Sequence, residues 1–481
     1  MDAPQRMDHV PTNELLGTTQ LPASSTIWRP MLRLALPALA EQLLTVLVGY
    51  TDWWLAGHYL QDAPYLAAMG LIAYVLWLLP SMFAAVAIGA TALVARFVGA
   101  GQWSLAVLTS NQAVTVGLVM GVLATVATAW GGPYFVYAMQ LQGEAASLAI
   151  RYLWVLVPVV PAIMIEQVGI ACLRGAGDTV SGFVVKTIVV AINVAVSMSL
   201  VIGWGPIPRL GWDGLAIGTA VGHGVGGLLI CCLLLVGRAG LTLRVRQLWP
   251  DAMLIWRLLR IGIPGGIDTA VILTCHMAFV AIINRMGTLA AAAHGMGVTI
   301  ESMAYLPGAA FQVAAMTLTG QALGARDPRR AVYSALSTFA VGGALMVAAG
   351  FVFYCAPEAL TAFFTGTDDS PTARATVPLL RIVAWAMPSL AVVMILTGAL
   401  RGAGDTRWTL AISLVGFFCV RLPGACWLAW DSVPLPGTGL ELPGWGWGVA
   451  GAWYAMLADN LVRSLLVVWR FAHGGWKRIE V

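Results

Sequence analysis

The heptapeptide Leu-Arg-Gly-Ala-Gly-Asp-Thr occurs at residues 173–179 and again, unchanged, at residues 400–406, which is 227 residues later. Prolines, an acidic position and a Met-Gly pair keep this offset: Pro37 and Pro264, Glu41 and Asp268, Met69-Gly70 and Met296-Gly297, Pro80 and Pro307. A motif repeated at almost half the length of a chain is typical of two similar structural units. The 481-residue chain is therefore predicted to fold as two related halves.

The composition indicates which solvent surrounds these halves. Hydrophobic residues make up 59% of the chain and charged residues 10%, and the mean hydropathy is +0.83. Soluble domains carry roughly 25% charged residues, so this chain has too few charges for a soluble surface. Apolar runs of about 20 residues predict twelve transmembrane helices. The predicted fold is an all-α integral membrane protein with two six-helix lobes, related by a pseudo-two-fold axis along the membrane normal, because an even helix number keeps both lobes parallel.

The apolar runs also predict the domain boundaries. They are a polar N-terminal tail at 1–27, an N-lobe at 28–237, an inter-lobe linker at 238–255, a C-lobe at 256–471 and a tail at 472–481. Most Lys and Arg residues fall in segments that this arrangement places on one side of the membrane. By the positive-inside rule that side is cytoplasmic. We expect a multi-pass protein of the plasma (inner) membrane with both termini in the cytoplasm.

Several functional classes are excluded by missing motifs. The chain has no GxxxxGK[ST] phosphate loop, and it lacks the HExxH and GxSxG patterns of metalloproteases and hydrolases. It has no basic module that predicts nucleic-acid binding, and its seven cysteines lie in apolar stretches. Enzyme activity, a resident metal and a cofactor are therefore not expected. Two membrane lobes enclose a cleft, which favours alternating access by rocking of the lobes, driven by an ion gradient.

Three stretches carry a family resemblance. They are Leu36-Pro37-Ala38-Leu39-Ala40-Glu41-Gln42 running on to Asp52, the run from Gly89 to Arg96 followed by Gly99-Ala100-Gly101, and the heptapeptide in both halves. Over about residues 28 to 470 the chain resembles the multidrug and toxic compound extrusion (MATE) transporters, closer to their DinF-like than their NorM-like branch. The resemblance implies a V-shaped central cavity and export of organic cations or other small amphipathic molecules in exchange for H⁺ or Na⁺. We expect the chain to act as a monomer in the lipid bilayer.

The resemblance also implies an ion-coupling site in the N-lobe. Asp52 matches the helix-1 aspartate that binds the proton or cation in the DinF-like branch, and Asn193 and Thr219 match further positions of that site. Ser197 stands where the branch carries a second aspartate. One carboxylate can still bind and release a proton. A dedicated Na⁺ site is less well supported, because the second negative charge is missing. The alternatives are an interfacial aspartate beside Trp53 and an asparagine that only links helices by hydrogen bonds.

Other charged residues in the predicted spans are candidates by default, because ionisable groups are costly in a bilayer. Glu41 and Asp268 are symmetry partners, which either attract a cationic substrate or hold a helix against an arginine or against backbone freed by the nearby proline. Glu166 and Glu301 have no acidic counterpart, which favours a specific task for each. His294 could titrate near neutral pH together with Glu301, although an interfacial histidine is the other interpretation.

Two further sequence features concern the predicted C-lobe. The NorM-like branch carries carboxylates on helices 7 and 10, but Ile272 occupies the expected helix-7 position and helix 10 has no acid. This argues against a Na⁺ site of the NorM type. Asp459 and Arg463 are four residues apart on helix 12 and are expected to neutralise each other.

The heptapeptide itself is interpreted as structural. Arg174 and Arg401 precede a helix stop, and Asp178 and Asp405 follow it, near the start of the next helix. The motif thus predicts a tight turn in each lobe, and a part of the inner gate. Aromatic and methionine side chains are expected to line the substrate cleft: Tyr74, Trp77, Met277 and Tyr305.

A second transporter function is the alternative to cation-coupled export. A flippase for lipid-linked polysaccharides on a related two-lobed fold would need a cationic cavity for pyrophosphate. The charges in the predicted spans are mostly acidic, which disfavours this alternative.

Overall fold

The computed structural model describes residues 27–60, 62–203, 208–365, 370–434 and 441–480, so nearly all of the predicted tail at 1–27 lies outside the described residues. The helices are α1 Trp28–Tyr59, α2 Ala63–Met82, α3 Ala84–Gly99, α4 Trp103–Ala138, α5 Gly143–Leu156, α6 Val160–Gly175, α7 Val180–Ile202, α8 Trp212–Leu235, α9 Ala252–Asn284, α10 Thr288–Gly324, α11 Pro328–Cys355, α12 Pro357–Thr365, α13 Pro371–Ala391, α14 Thr397–Gly402, α15 Thr406–Leu414, α16 Leu422–Ala429 and α17 Gly448–His473. A small antiparallel hairpin joins β1 Ser432–Pro434 to β2 Glu441–Pro443.

The prediction of an all-α membrane protein is confirmed. Within the described ranges, ten helical stretches are long and apolar enough to cross a membrane. Four of them combine consecutive helices: α2 with α3, α5 with α6, α13 with α14, and α15 with α16. Two more long helices, α10 and α17, are not among the ten. The count of twelve spans therefore stays a prediction.

The two symmetry-related prolines act differently. Pro80 lies near the end of α2, and the helix is interrupted at Phe83, whose amide donates to the Pro80 carbonyl at 3.1 Å. Pro307 lies inside α10, which continues without interruption from Thr288 to Gly324. Helix α2 therefore ends beside its proline, whereas α10 continues through its proline. A proline removes one hydrogen bond of the helix but does not have to end it.

The C-lobe contains two π-helical turns within its helices. Residues 392–396 connect α13 to α14, and residues 415–421 connect α15 to α16. A π-helical turn inserts a residue and changes the direction of the side chains that follow. These turns make the C-lobe differ from the N-lobe despite the sequence repeat.

The lobes meet at the end of the molecule that holds both heptapeptide turns, which we call the motif end. Gln321 of α10 donates to the Gly175 carbonyl at 3.1 Å, and Arg96 of α3 donates to the Ala403 carbonyl at 3.1 Å. Arg96 also donates to the Ile479 carbonyl at 3.0 Å in the C-terminal segment. Each of these bonds joins a side chain of one lobe to the backbone of the other, so the motif end is closed.

Glycines permit this close contact between α3 and α10. A Cβ atom at Gly99 would overlap the Gln321 carbonyl, and one at Gly324 would overlap the Arg96 carbonyl. Small residues let membrane helices approach until their backbones touch. The closed motif end therefore depends on the absence of side chains at these positions.

Candidate functional site

The two heptapeptides make the same ion pair in their lobes. Arg174 lies 2.6 Å from Glu41 of α1, and Arg401 lies 2.7 Å from Asp268 of α9. All four side chains are largely buried, and the pairs are related by the 227-residue offset. Among the interpretations of these acids, the geometry agrees with the one in which each acid holds its helix against an arginine.

The threonines of the motifs reinforce this connection. The Thr179 hydroxyl donates to the Arg33 carbonyl of α1 at 3.2 Å, and the Thr406 hydroxyl donates to the Ile261 carbonyl of α9 at 2.8 Å. Each motif therefore attaches the first helix of its lobe by one ion pair and one hydrogen bond. This supports the structural role that the sequence suggested for the turns.

The motif aspartates have different partners in the two lobes. Asp178 accepts from the Ser181 amide at 3.0 Å and from Arg238 Nε at 2.9 Å. Asp405 accepts instead from Arg470 Nε of α17 at 2.7 Å. Burial raises the pKa of the Asp405 carboxyl, and the Arg470 guanidinium opposes this effect. Asp178 therefore caps α7, while Asp405 holds the last long helix.

A group of five polar side chains, here called the Asp52 cluster, lies inside the N-lobe. Asn193 Nδ2 donates to the Thr219 hydroxyl at 3.1 Å, and the Tyr152 hydroxyl lies 2.9 Å from the same oxygen. Asp52 is fully buried and faces Thr219 and Tyr152. Ser197, also fully buried, completes the cluster.

Much of this cluster lacks hydrogen-bond partners. Both carboxylate oxygens of Asp52, the amide oxygen of Asn193 and the hydroxyl of Ser197 are buried without a partner among the described residues. Each unsatisfied buried polar group costs about 1–3 kcal/mol of folding free energy. Native proteins keep few of them, and such groups often serve redox, catalytic or ion-binding roles. The cluster therefore suits a bound proton or a small hard cation, which prefers oxygen ligands.

Glycines of α8 explain how the cluster is assembled. A Cβ atom at Gly218 would overlap the Ser197 hydroxyl, and one at Gly222 would lie 3.2 Å from Asn193 Cβ. The backbones of α7 and α8 can therefore approach until Asn193 reaches Thr219. Tyr152 of α5 was not selected from the sequence, because a tyrosine in an apolar helix carries no distinguishing signal.

A second buried group, here called the Glu166 trio, joins α6, α7 and α8. Lys186 Nζ lies 2.8 Å from Glu166 Oε1, and His223 Nδ1 lies 2.8 Å from Glu166 Oε2. The Glu166 side chain is completely buried, and its two partners are 7% and 18% exposed. The sequence singled out Glu166 but neither partner.

The predicted pair of Asp459 and Arg463 is present and has a third member. Arg463 Nε and Nη2 each lie 2.8 Å from the Asp459 carboxylate, and Arg421 Nη2 lies 2.7 Å from it. Arg421 belongs to the π-helical turn at residues 415–421. Two arginines thus share one aspartate in the C-lobe.

His294 is buried near the start of α10. Its Nδ1 accepts from the Trp453 indole at 3.3 Å, and its ring packs edge-to-face on Phe279 and Trp453. These large side chains exclude water from a position near the start of α10. The described contacts of His294 do not include Glu301.

The proposed cleft side chains are placed on both lobes. Tyr74 and Trp77 of α2 and Tyr305 of α10 are about half exposed, and Met277 of α9 is partly buried. The Trp77 ring lies 6.1 Å from the His276 ring across the lobes. Their exposure is compatible with a cleft lining, and His276 is an additional candidate there.

Comparisons with known proteins agree with this architecture. The MatE family model matches residues 37–198 and 264–427. The "Probable multidrug resistance protein NorM" of Thermotoga maritima is 28% identical over 455 residues, which cover 95% of this chain and 94% of that protein. The "Probable multidrug resistance protein YoeA" of Bacillus subtilis is 23% identical over 96% of this chain and 97% of that protein.

Solved structures share the fold. "Outward-facing conformation of a multidrug resistance MATE family transporter of the MOP superfamily" superposes with a TM-score of 0.83 at 20% identity, covering 95% of this chain and 98% of that one. A MOP superfamily transporter from Pyrococcus furiosus, described as having "reverse polarity of binding pocket", superposes with a TM-score of 0.84 at 19% identity, with the same coverage.

Proposed function

We propose that this chain, which belongs to the MatE family, exports organic cations or other small amphipathic molecules in exchange for protons. The observation that carries the proposal is Asp52, a fully buried carboxylate whose oxygens have no hydrogen-bond partner within the described residues. A buried carboxyl of this kind favours a proton as its counter-charge. The multidrug names of the matched relatives support the substrate class.

In this exchange the Asp52 carboxyl alternates between an ionised state and a protonated state. When Asp52 is ionised, its charge attracts a cationic substrate into the open cleft and aligns the hydroxyls of Thr219 and Tyr152. When Asp52 binds a proton, that attraction is lost and the substrate is released. Only a difference in affinity between two conformations can drive transport, and the proton changes the charge on which that affinity depends.

Rocking of the two lobes supplies the alternating access. The hydrogen bonds from Arg96 and Gln321 hold the motif end closed, and the distribution of Lys and Arg supports a cytoplasmic position for this end. These bonds must break when the cleft opens to the cytoplasm. We place the protein in the plasma membrane as a monomer, with both termini on the cytoplasmic side.

Ser197 favours protons over Na⁺. It occupies the position of the second aspartate in the DinF-like branch, so the cluster contains one negative charge. A single carboxylate suffices for a proton, whereas Na⁺ would depend on neutral oxygens for the rest of its shell. The DinF-like assignment itself stays a prediction, since several matched relatives bear the NorM name. The polysaccharide flippase alternative is not favoured by these relatives.

Efflux driven by imposed gradients tests the proposal. The purified protein is reconstituted into vesicles with ethidium, and a pH gradient or a Na⁺ gradient at fixed pH is imposed. We expect ethidium movement with the pH gradient alone. A requirement for Na⁺ at fixed pH, or the absence of gradient-driven movement with either ion, would contradict it.

Closure of the motif end can be tested at one glycine. In Gly324→Ala the new methyl group overlaps the Arg96 carbonyl, and overpacking costs about 1–3 kcal/mol. Because 1.4 kcal/mol corresponds to a factor of about ten, we expect ethidium efflux to slow about tenfold. Gly295→Ala on the same helix is the control, since no atom lies within 4 Å of its Cβ position. Equal rates in the two variants would show that this contact does not limit transport.

A further inference from the structure

The acid and the base of the Glu166 trio have no charged counterparts in the C-lobe. Positions 227 residues after Glu166 and Lys186 are occupied by Val393 and Ser413. The motif ion pairs, in contrast, are kept in both lobes. The pair of Glu166 and Lys186, which contacts His223 through Glu166, is therefore particular to the N-lobe.

The contact with an ionised Glu166 determines which ring nitrogen of His223 carries a hydrogen. An ionised carboxylate only accepts hydrogen bonds, so His223 Nδ1 carries a hydrogen and donates it to Glu166. The other ring nitrogen, Nε2, is then the basic atom of the ring. With Lys186 charged and His223 neutral, the trio has no net charge. One proton on Nε2 would make it positive by one.

The trio lies between the Asp52 cluster and the motif end. Helix α7 begins at the motif end, and Lys186 precedes Asn193 on it by seven residues, or two turns. Helix α8 ends at the motif end, and His223 follows Thr219 by four residues, or one turn. Residues at these spacings share one face of a helix. The trio is thus the next ionisable group toward the cytoplasm on the helices that form the Asp52 cluster.

The elements packed on α8 present few other charges to His223. Helix α6 presents Glu166, α7 presents Lys186, and α5 presents Tyr152, which bonds to Thr219. The turn at residues 157–159 carries no titratable side chain, and Arg238 is bound to Asp178. On α1, which packs on α7, the nearby acids are Asp52 and the arginine-bound Glu41.

We propose that His223, oriented by Glu166 and Lys186, is a second proton-binding site of the N-lobe. The proton that leaves Asp52 binds to His223 Nε2 and passes from there to the cytoplasm when that side opens. Each transfer moves one proton from an acid to a base and forms no other bond. Proton binding at His223 does not depend on the proposed transport function, whereas its coupling to export does.

Histidine NMR of the full-length protein in lipid nanodiscs tests the binding step. His223→Gln identifies the His223 signal among the six histidines. We expect the wild-type signal to be that of imidazolium in acidic samples and that of neutral imidazole in alkaline ones. Lys186→Met removes a like charge and should favour the imidazolium form, and Glu166→Gln removes the opposite charge and should disfavour it. A His223 ring that stays neutral in acidic samples of the folded wild type would overturn the proposal.

Vesicle efflux tests the coupling step. We expect His223→Gln to slow efflux driven by a pH gradient at least about tenfold, while tetraphenylphosphonium binding changes by less than about twofold. Unchanged efflux with an intact fold would overturn the coupling role. Failure of the wild type to respond to a pH gradient would instead contradict the proposed function, and the NMR result on His223 would stand separately.

Discussion

Asp52→Asn is expected to abolish efflux driven by a pH gradient, with a loss of at least about hundredfold, the lower range for removal of a proton-transfer group. The asparagine has nearly the same shape but binds no proton near neutral pH. Since Asp52 is fully buried and both of its oxygens lack partners in the described structure, its replacement removes charge without breaking an ion pair. The folded protein should therefore remain as stable as the wild type or become more stable.

Asp52→Glu is the matched variant, because it keeps a carboxyl at this position. We expect Asp52→Glu to retain measurable efflux. Asp213→Asn is a second control, because it changes an acid that is paired with the exposed Arg151. This variant should retain most of the wild-type efflux. The measurement is ethidium efflux from vesicles with a pH gradient at constant Na⁺. Persistent efflux in Asp52→Asn would exclude this carboxyl as the coupling group.

Arg174→Met is expected to have the largest effect on stability. It leaves Glu41 buried without its arginine partner, and breaking a buried pair in this way costs about 3–5 kcal/mol. Arg401→Met should have a similar effect through Asp268, because the two ion pairs are equivalent. The measurement is the free energy of unfolding in detergent micelles, or the shift in the unfolding temperature.

The double variant distinguishes two causes of the stability loss, which are the unpaired charge of Glu41 and the lost packing of the Arg174 side chain. Glu41→Gln with Arg174→Met should be more stable than Arg174→Met alone, because no uncompensated charge remains buried. Arg151→Met is the control, since this side chain is 66% exposed and exposed pairs contribute about 0–1 kcal/mol. A loss in Arg174→Met no larger than that in Arg151→Met would contradict the holding role of the motif.

The sequence repeat predicted more of the structure than any local pattern did. The 227-residue offset relates Glu41 to Asp268 and Arg174 to Arg401, and each acid does bind the arginine of its own lobe. The repeat could not show that the ion pairs form, because their partners are 133 residues apart along the chain. The sequence offered that arrangement as one interpretation, and the observed ion pairs agree with it.

The asymmetric features were harder to predict. Glu166 could be selected as a buried acid without a counterpart, but its partners are 20 and 57 residues away. Such contacts depend on how α6, α7 and α8 pack, which a single sequence does not specify. The π-helical turn that positions Arg421 has the same apolar composition as an α-helix, so no sequence signal marked it. The burial of His294 arises similarly from a tryptophan 159 residues away.

The residues proposed for ion coupling come from two sources, the family resemblance and the geometry of the folded structure. Asp52, Asn193 and Thr219 were selected by resemblance, and they lie together with Ser197 in one buried cluster. Tyr152 could be found only from the folded structure. Its hydroxyl completes the hydrogen bonding of Thr219 and gives the cluster a further group that can respond to the charge of Asp52.

Proton release on substrate binding measures the exchange directly. Tetraphenylphosphonium is added to the purified protein in a weakly buffered solution, and the pH change is recorded for the wild type and Asp52→Asn. If substrate and proton compete through Asp52, the wild type releases protons on binding and Asp52→Asn releases fewer at equal occupancy. Equal proton release from both proteins, or substrate binding to the wild type without any proton release, would contradict proton exchange at Asp52.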